Sequence, residues 1–238
     1  MPGYVIHMAE ARQIMDEYSR RTGMAISYDQ AQQFMVGNLL PDTRLRSEKK
    51  DSHFWNDEEL EDIAKAPDLR LFLDKYGDRL HNPVYMGYYS HLYLDWCYVD
   101  SYWPKEMRFY GSDGQPQKLR RNVRFVKILR TGEVVPLDRF FTSEYYYGEY
   151  SRLNSYFVQH YHLTVPDVST VKNFQMDEVR LADMDRICGN LHRLIDRSEW
   201  DSKEPLRVFD QESLENFIHT SAMQFTDICQ KELGGEHL

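Results

Sequence analysis

Three histidines and two aspartates in the first 95 residues are residue types that can bind a metal. They are His7, Asp42, His53, His91 and Asp95, and each lies in or beside an apolar segment. Imidazole nitrogens and carboxylate oxygens together suit Zn²⁺, and they also accept Mn²⁺ or Fe²⁺. The set therefore predicts a divalent metal site.

The closest pair is His91 and Asp95 in GYYSHLYLDWCY. A spacing of four residues places both side chains on one face of a helix, about one turn apart. The rest of this segment is almost wholly apolar or aromatic, so the helix must be largely buried. A buried carboxylate needs a partner. That partner is a metal ion, or alternatively the histidine itself or an arginine.

Asp42 and His53 bracket a polar loop, GNLLPDTRLRSEKKDSHFW. We expect a short helix over residues 29–36 that ends at Gly37, with the loop following it. His7 falls within a helix that the apolar spacing predicts over residues 4–20. These elements would have to bring the five side chains together.

The rest of the chain predicts more helices and one small β region. VRFVKIL, RTGE and VV within residues 105–136 are typical of a β-hairpin. We find no linker, repeat or low-complexity tract. The sequence therefore predicts a mainly α, single helical-bundle domain over residues 1–238 with a small β-hairpin excursion around residues 105–136. A further helix is expected over residues 57–66, with Asn56 or Asp57 as its N-cap. Others are expected over residues 68–76, 83–103, 143–162, 177–197 and 212–233, and Pro104 is expected to end the helix over residues 83–103.

Composition and charge exclude several classes of function. The net charge of −9 argues against nucleic-acid binding through general phosphate attraction. Three widely spaced cysteines without a CxxC pair argue against a disulfide framework or a thiolate zinc site. The N-terminal segment lacks the pattern of a signal peptide, and no window reaches the ~20 apolar residues of a membrane span. We expect a cytoplasmic protein without a transmembrane segment.

In their order along the chain, these residues resemble the zinc-dependent phospholipase C family, the helical hydrolases that include bacterial phospholipase C and P1-type nucleases. The shared marks are VIHMAEA with His7, GNLLPD with Asp42, SHF with His53, and GYYSHLYLD with His91 and Asp95. The resemblance covers about residues 1–100, and the motif-bearing part ends at Trp103. Residues 104–238 hold the hairpin and the C-terminal helices.

The resemblance implies one or two zinc ions at one end of the helical bundle. His53, His91 and Asp95 would hold one ion, and Asp95 could bridge to a second ion held with His7. Asp42 would hold or orient the attacking water, as a ligand or as a general base. The implied reaction is hydrolysis of a phosphoester or phosphodiester in a small phosphoester or a phospholipid.

The sequence also departs from the family pattern. Secreted members use the amino group of a mature N-terminal Trp as a ligand, whereas this chain starts Met-Pro-Gly. The later His-x-x-x-Glu has its nearest counterpart in His192 and Asp196, which are either additional metal ligands or a helix-surface pair. The alternative function is a non-catalytic helical module with a degenerate metal site. It would act through an unidentified protein partner, with the Tyr-rich residues 143–157 as its surface.

Overall fold

A computed structural model describes residues 2–44, 48–196 and 206–232. The predicted ends of the last two helices, at Arg197 and Leu233, lie outside these ranges. The chain is mainly α with a small three-stranded antiparallel sheet, so the predicted fold class is confirmed. The helices are α1 (Tyr4–Thr22), α2 (Tyr28–Leu39), α3 (Lys49–Ser52), α4 (Leu69–Tyr76), α5 (Pro83–Cys97), α6 (Trp103–Glu106), α7 (Leu137–Phe140), α8 (Tyr146–His160), α9 (Met184–Asp196) and α10 (Gln211–Glu232).

The sheet consists of β1 (Met107–Tyr110), β2 (Phe125–Ile128) and β3 (Val134–Pro136), in that order. β2 and β3 form the predicted hairpin. Val126 lies opposite Phe109 on one side and Val135 on the other. β1 was not predicted, because its four residues are too few to show an alternating pattern.

α2 and α5 cross in direct backbone contact, and two glycines make this possible. A Cβ atom added at Gly37 would lie 1.9 Å from the Val84 carbonyl oxygen, and one at Gly87 would lie 2.0 Å from the Phe34 carbonyl oxygen. No side chain fits at either position. The prediction that Gly37 ends the second helix was therefore wrong. α2 continues to Leu39 and then tightens into a 3₁₀ turn, Leu40–Thr43.

α5 begins at Pro83, behind Asn82, whose side chain accepts a hydrogen bond from the Val84 N–H at 2.9 Å. From Val84 to Cys97 every residue is buried except Trp96, which is 38% exposed. The helix then passes through a π turn, Tyr98–Tyr102, into α6. Pro104 lies in the first turn of α6, where its missing N–H costs little, so it does not end the helix as predicted.

Residues 57–66 do not form the predicted helix. After a 3₁₀ turn, Asp57–Glu59, the chain extends along residues 118–120. The Ile63 N–H donates to the Lys118 carbonyl oxygen and the Arg120 N–H donates to the Glu61 carbonyl oxygen, both at 2.9 Å. Tertiary pairing thus replaces the helical hydrogen bonds that the capping signal at Asn56 had suggested.

The C-terminal half packs against the N-terminal helices. α1 lies along α10, where Ser221 donates a hydrogen bond of 2.6 Å to Glu10. The buried hydroxyl groups of Tyr98, Tyr146 and Tyr150 form a connected network. The predicted helix over residues 177–197 begins only at Met184, after a 3₁₀ turn at Leu181–Asp183. Within the described ranges, no helix combines the length and apolar content that crossing a membrane requires.

Candidate metal centre

The structure brings the five predicted ligands together at one end of the α1, α2 and α5 packing. His7 lies in the first turn of α1, and Asp42 lies in the 3₁₀ turn after α2. His53 follows α3 directly, and His91 and Asp95 lie one turn apart on α5. The three histidines and Asp95 are at most 1% exposed, while the Asp42 side chain is 11% exposed.

The separations between the side chains suit a shared cation. Two ligands bound to one ion through bonds of ~2.0–2.2 Å lie roughly 3–4 Å apart. The observed separations are 3.4 Å for His7 Nε2 to Asp95 Oδ1, 3.7 Å for His53 Nε2 to Asp95 Oδ2, 3.7 Å for His91 Nε2 to Asp95 Oδ2, and 3.6 Å for His53 Nε2 to Asp42 Oδ1.

Most of the atoms that face this centre have no hydrogen-bond partner among the described residues. They are Nε2 of His7, His53 and His91 and both carboxylate oxygens of Asp95, and all five are buried. A buried polar group without a partner costs roughly 1–3 kcal/mol, and more if it is charged. A single kind of occupant, a cation, would satisfy all five atoms at once.

Neighbouring oxygens orient two of the imidazole rings. His91 Nδ1 lies 2.7 Å from the Asn38 carbonyl oxygen, which can only accept a hydrogen bond. His53 Nδ1 lies 3.0 Å from Ser52 Oγ, whose own hydroxyl donates to the Pro41 carbonyl oxygen at 2.9 Å. Both Nδ1 atoms must therefore carry the proton. Each Nε2 then points its lone pair at the centre, as a metal ligand requires.

The His91 ring also favours the neutral state. The His7 and His91 rings are stacked with centroids 3.6 Å apart, and the His53 ring meets His91 edge-on at 5.3 Å. Burial, and next the proximity of His7, hold the pKa of His91 well below its usual value. A neutral imidazole is the form that binds a metal.

Both aspartates are carboxylates at neutral pH. Burial alone would raise the pKa of Asp95, but the three surrounding imidazoles, His7 first, hold it at about 2. Burial would likewise raise the pKa of Asp42, but the Lys49 ammonium and His53 hold it well below the usual range. The centre therefore presents two carboxylates beside the neutral His91 ring.

Ligand atoms close enough to share one ion form two overlapping groups in the described part of the chain. One contains His7, His91 and Asp95, and the other contains Asp42, His53 and His91. His91 belongs to both, but only its Nε2 is available, and one nitrogen binds one ion. Asp95 has an oxygen near each group, which is the arrangement a bridging carboxylate needs.

Sequence reasoning missed two cationic residues beside Asp42. Lys49 Nζ lies 2.5 Å from Asp42 Oδ1. The Arg186 guanidinium donates to the carbonyl oxygens of Asp42 at 3.2 Å and Thr43 at 2.7 Å. Arg186 is 144 residues from Asp42, so no local pattern could have linked them. Lys49 lies in the polar loop between Asp42 and His53, where a charged residue is usually exposed to solvent and indicates no particular role.

Glu10 was also missed, although its spacing from His7 was a usable signal. Residues spaced three apart lie on the same face of a helix, and Glu10 is fully buried about one turn after His7. One oxygen accepts from Ser221, and the other, Oε2, has no partner among the described residues. Burial raises the pKa of Glu10 well above its usual value, and the nearby charge of Asp95 adds to this shift.

The structure does not bring His192 and Asp196 to the centre. Both are exposed on α9, and His192 Nδ1 lies 2.9 Å from the Cys188 carbonyl oxygen of its own helix. Within the described residues, neither joins a group of three or more ligand atoms. This pair is therefore a helix-surface pair rather than part of the five-residue cluster.

No protein family, curated protein or solved structure gives a match to this chain.

Proposed function

We propose that this protein is a metal-dependent hydrolase of a phosphoester or phosphodiester, similar in chemistry to phospholipase C. The observation that carries the proposal is the convergence of five buried ligand atoms that have no hydrogen-bond partner among the described residues. The order of the motifs along the chain, which resembles that of zinc-dependent phospholipases C, supports it further. Zn²⁺ fits the nitrogen and oxygen ligands best, and Mn²⁺ or Fe²⁺ also fit.

His7, His53, His91 and Asp95 would hold the ion, and Asp95 would bridge to a second ion if one binds. A zinc ion in this position promotes deprotonation of water and offsets negative charge on a phosphoryl oxygen. The chain contributes rigid placement, because Asn38 and Ser52 fix two of the imidazole rings. A ligand set held in advance needs no rearrangement during the reaction.

Asp42 would orient the attacking water and accept its proton. It is the one member of the five that reaches solvent, with a side chain 11% exposed. Its carboxylate lies beside His53 on the inner side and Lys49 on the outer side. It can therefore contact water and substrate entering from outside, whereas buried Asp95 cannot.

The proposed substrate is a small phosphoester or a phospholipid, and the proposed location is the cytoplasm. Cys97, Cys188 and Cys229 form no disulfide bond among the described residues, which fits a reducing compartment. Burial raises the pKa of Cys97 to about 12 and also raises that of Cys188, so neither thiol is an activated nucleophile.

The test begins with the metal content of protein purified without an immobilised-metal column. We expect about one to two equivalents of zinc by mass spectrometry, and below ~0.1 equivalent for His91→Ala with its helical circular dichroism retained. His192→Ala is the matched control, since this exposed histidine should leave the metal content unchanged. Zinc-loaded protein should hydrolyse p-nitrophenyl phosphate or bis(p-nitrophenyl) phosphate, and the His91 variant should not.

Asp95→Asn provides a second variant in case His91→Ala fails to fold after losing its ring stack. Wild-type protein that binds less than ~0.1 equivalent after dialysis against zinc would contradict the hydrolase proposal. The alternative, a non-catalytic module that acts through a protein partner, would then take its place.

A further inference from the structure

Lys49 lies at the outer edge of the candidate metal centre. Its side chain is 27% exposed, that of Asp42 is 11% exposed, and those of the three histidines and Asp95 are at most 1% exposed. Among the described residues, exposure therefore increases from the buried ligands through Asp42 to Lys49. A substrate that approaches the centre from this side meets the Lys49 ammonium first.

Two cationic side chains adjoin Asp42 in a protein whose net charge is −9. Lys49 contacts the carboxylate, and Arg186 contacts the backbone carbonyl oxygens of Asp42 and Thr43. The two cations come from separate elements, α3 and α9. Cationic side chains that converge on one point can attract an anion even when the protein as a whole is acidic.

The charges at the centre favour a particular anion. Asp42 and Asp95 carry two negative charges, which Lys49 and Arg186 cancel. Glu10 is not among the groups at this edge, because it is fully buried and accepts its hydrogen bond from Ser221 on α10. One divalent ion then leaves an excess of two positive charges. A phosphate monoester carries two negative charges near neutral pH, whereas a diester carries one.

The position of Lys49 also suits direct contact with a phosphoryl group. Its ammonium is one hydrogen bond from Asp42, whose Oδ1 is 3.6 Å from His53 Nε2. A phosphoryl oxygen near the ion would be within reach of the same ammonium. Lysine has three N–H donors, so it can keep the Asp42 contact while donating to phosphate.

From these contacts and charges, and building on the proposed hydrolase function, we propose that Lys49 binds the substrate phosphate and makes the site selective for dianionic phosphate monoesters. In this role Lys49 is a substrate-binding residue and does not hold the metal. Substitution of Lys49 should therefore change anion affinity and leave the metal content intact.

The test compares two non-hydrolysable ligands of nearly equal size on the zinc-loaded full chain. Phenylphosphonate is a dianion at about pH 8, and its monomethyl ester is a monoanion. By calorimetry, wild-type protein should bind phenylphosphonate about tenfold more tightly or better. Lys49→Met should weaken phenylphosphonate binding about tenfold and ester binding less than about threefold, with unchanged zinc content.

Lys50→Met is the matched control, because Lys50 lies on the same short helix but pairs with exposed Asp57 at 2.5 Å. It should leave both affinities unchanged. Lys49→Arg keeps the charge and should retain the preference for the dianion, which guards against a Lys49→Met variant that misfolds. For p-nitrophenyl phosphate, Lys49→Met should raise KM more than it lowers kcat.

Equal affinity of the wild type for the two ligands would overturn the proposed selectivity. An equal loss in the Lys49 and Lys50 variants would overturn the role of Lys49. In both cases zinc binding and hydrolysis would still stand. Absence of zinc from the wild-type protein would instead be a failure of the hydrolase proposal itself.

Discussion

Asp95 and Glu149 are both buried acids with fully inaccessible side chains, but their surroundings are opposite. Glu149 accepts hydrogen bonds from the backbone N–H groups of Arg207, Val208 and Phe209, at 2.9–3.1 Å for the latter two. Asp95 has no hydrogen-bond partner among the described residues and faces three imidazole nitrogens. The fold provides donors for Glu149, whereas it leaves the Asp95 carboxylate facing imidazole nitrogens at distances that a shared cation could bridge.

The comparison distinguishes a buried charge that stabilises the fold from a buried charge that could bind a ligand. Glu149 fixes the chain that leads into α10, and its environment is complete without any ligand. An added cation would complete the group around Asp95, because the two carboxylate oxygens and the His91 Nε2 lone pair are all acceptors. Buried acceptors that face one another are therefore a better indication of a metal site than burial alone.

The substitution Glu149→Ala should have the largest effect on stability. It leaves up to three buried backbone N–H groups unpaired, so we expect the free energy of unfolding to fall by about 4 kcal/mol. Denaturant unfolding of metal-free protein measures this loss. Glu144→Ala on the exposed side of the same region should change stability by less than about 0.5 kcal/mol. A similarly small effect at Glu149 would show that its hydrogen bonds are dispensable.

Asp95→Asn should give the opposite pattern. We expect zinc affinity to fall about 100-fold or more, since the carboxylate that faces all three imidazoles is lost. The unfolding free energy of the metal-free protein should fall by no more than about 2–3 kcal/mol, because Asp95 accepts no hydrogen bond that would be broken and loses only the interactions that lower its pKa to about 2. Zinc titration and denaturant unfolding on the same sample measure both. A large stability loss without zinc would make Asp95 structural, like Glu149.

Glu10 is intermediate between Asp95 and Glu149 in its hydrogen bonding, and its substitution should have the smallest effect of the three. One of its oxygens accepts from Ser221 and the other has no partner among the described residues. Burial raises its pKa, so the folded state holds this proton more tightly than the unfolded state does. Its contribution to stability is therefore complete below the unfolded-state pKa and is lost as pH rises through the folded-state pKa.

Glu10→Gln keeps the oxygen that accepts from Ser221 and cannot ionise. Its stability relative to wild type should rise by about 1 kcal/mol or more between about pH 5 and about pH 8. Urea unfolding across this range measures the trend. Parallel pH profiles for the two proteins would mean that Glu10 ionises without cost.

The sequence predicted the five-residue cluster better than it predicted the helix ends. His91 and Asp95 followed from helical spacing within an apolar segment, which is a local pattern. The resemblance in motif order then connected them to His7, Asp42 and His53. Contacts that join distant parts of the chain, such as Arg186 with Asp42 or Glu149 with Val208, leave no local pattern and were missed.

The wrong helix ends have two physical causes. At Gly37 and after Asn56 tertiary contacts overrule a boundary that local chemistry suggests, whereas Pro104 is accommodated locally. Gly37 lies inside α2, where the backbone of α5 packs directly against it. The residues after Glu59 form no helix because they pair with residues 118–120. Pro104 follows a π turn and starts a new helical segment.

The glycine crossing of α2 and α5 limits how this protein can vary in evolution. A side chain added at Gly37 or Gly87 would collide with a backbone carbonyl oxygen, of Val84 or Phe34 respectively. A second mutation elsewhere can shorten a side chain but cannot remove a carbonyl group, so no compensating substitution is open to either position. In a library of all single and paired variants, both positions should tolerate only glycine, and divergent descendants of this chain should keep the two glycines as their most persistent signature.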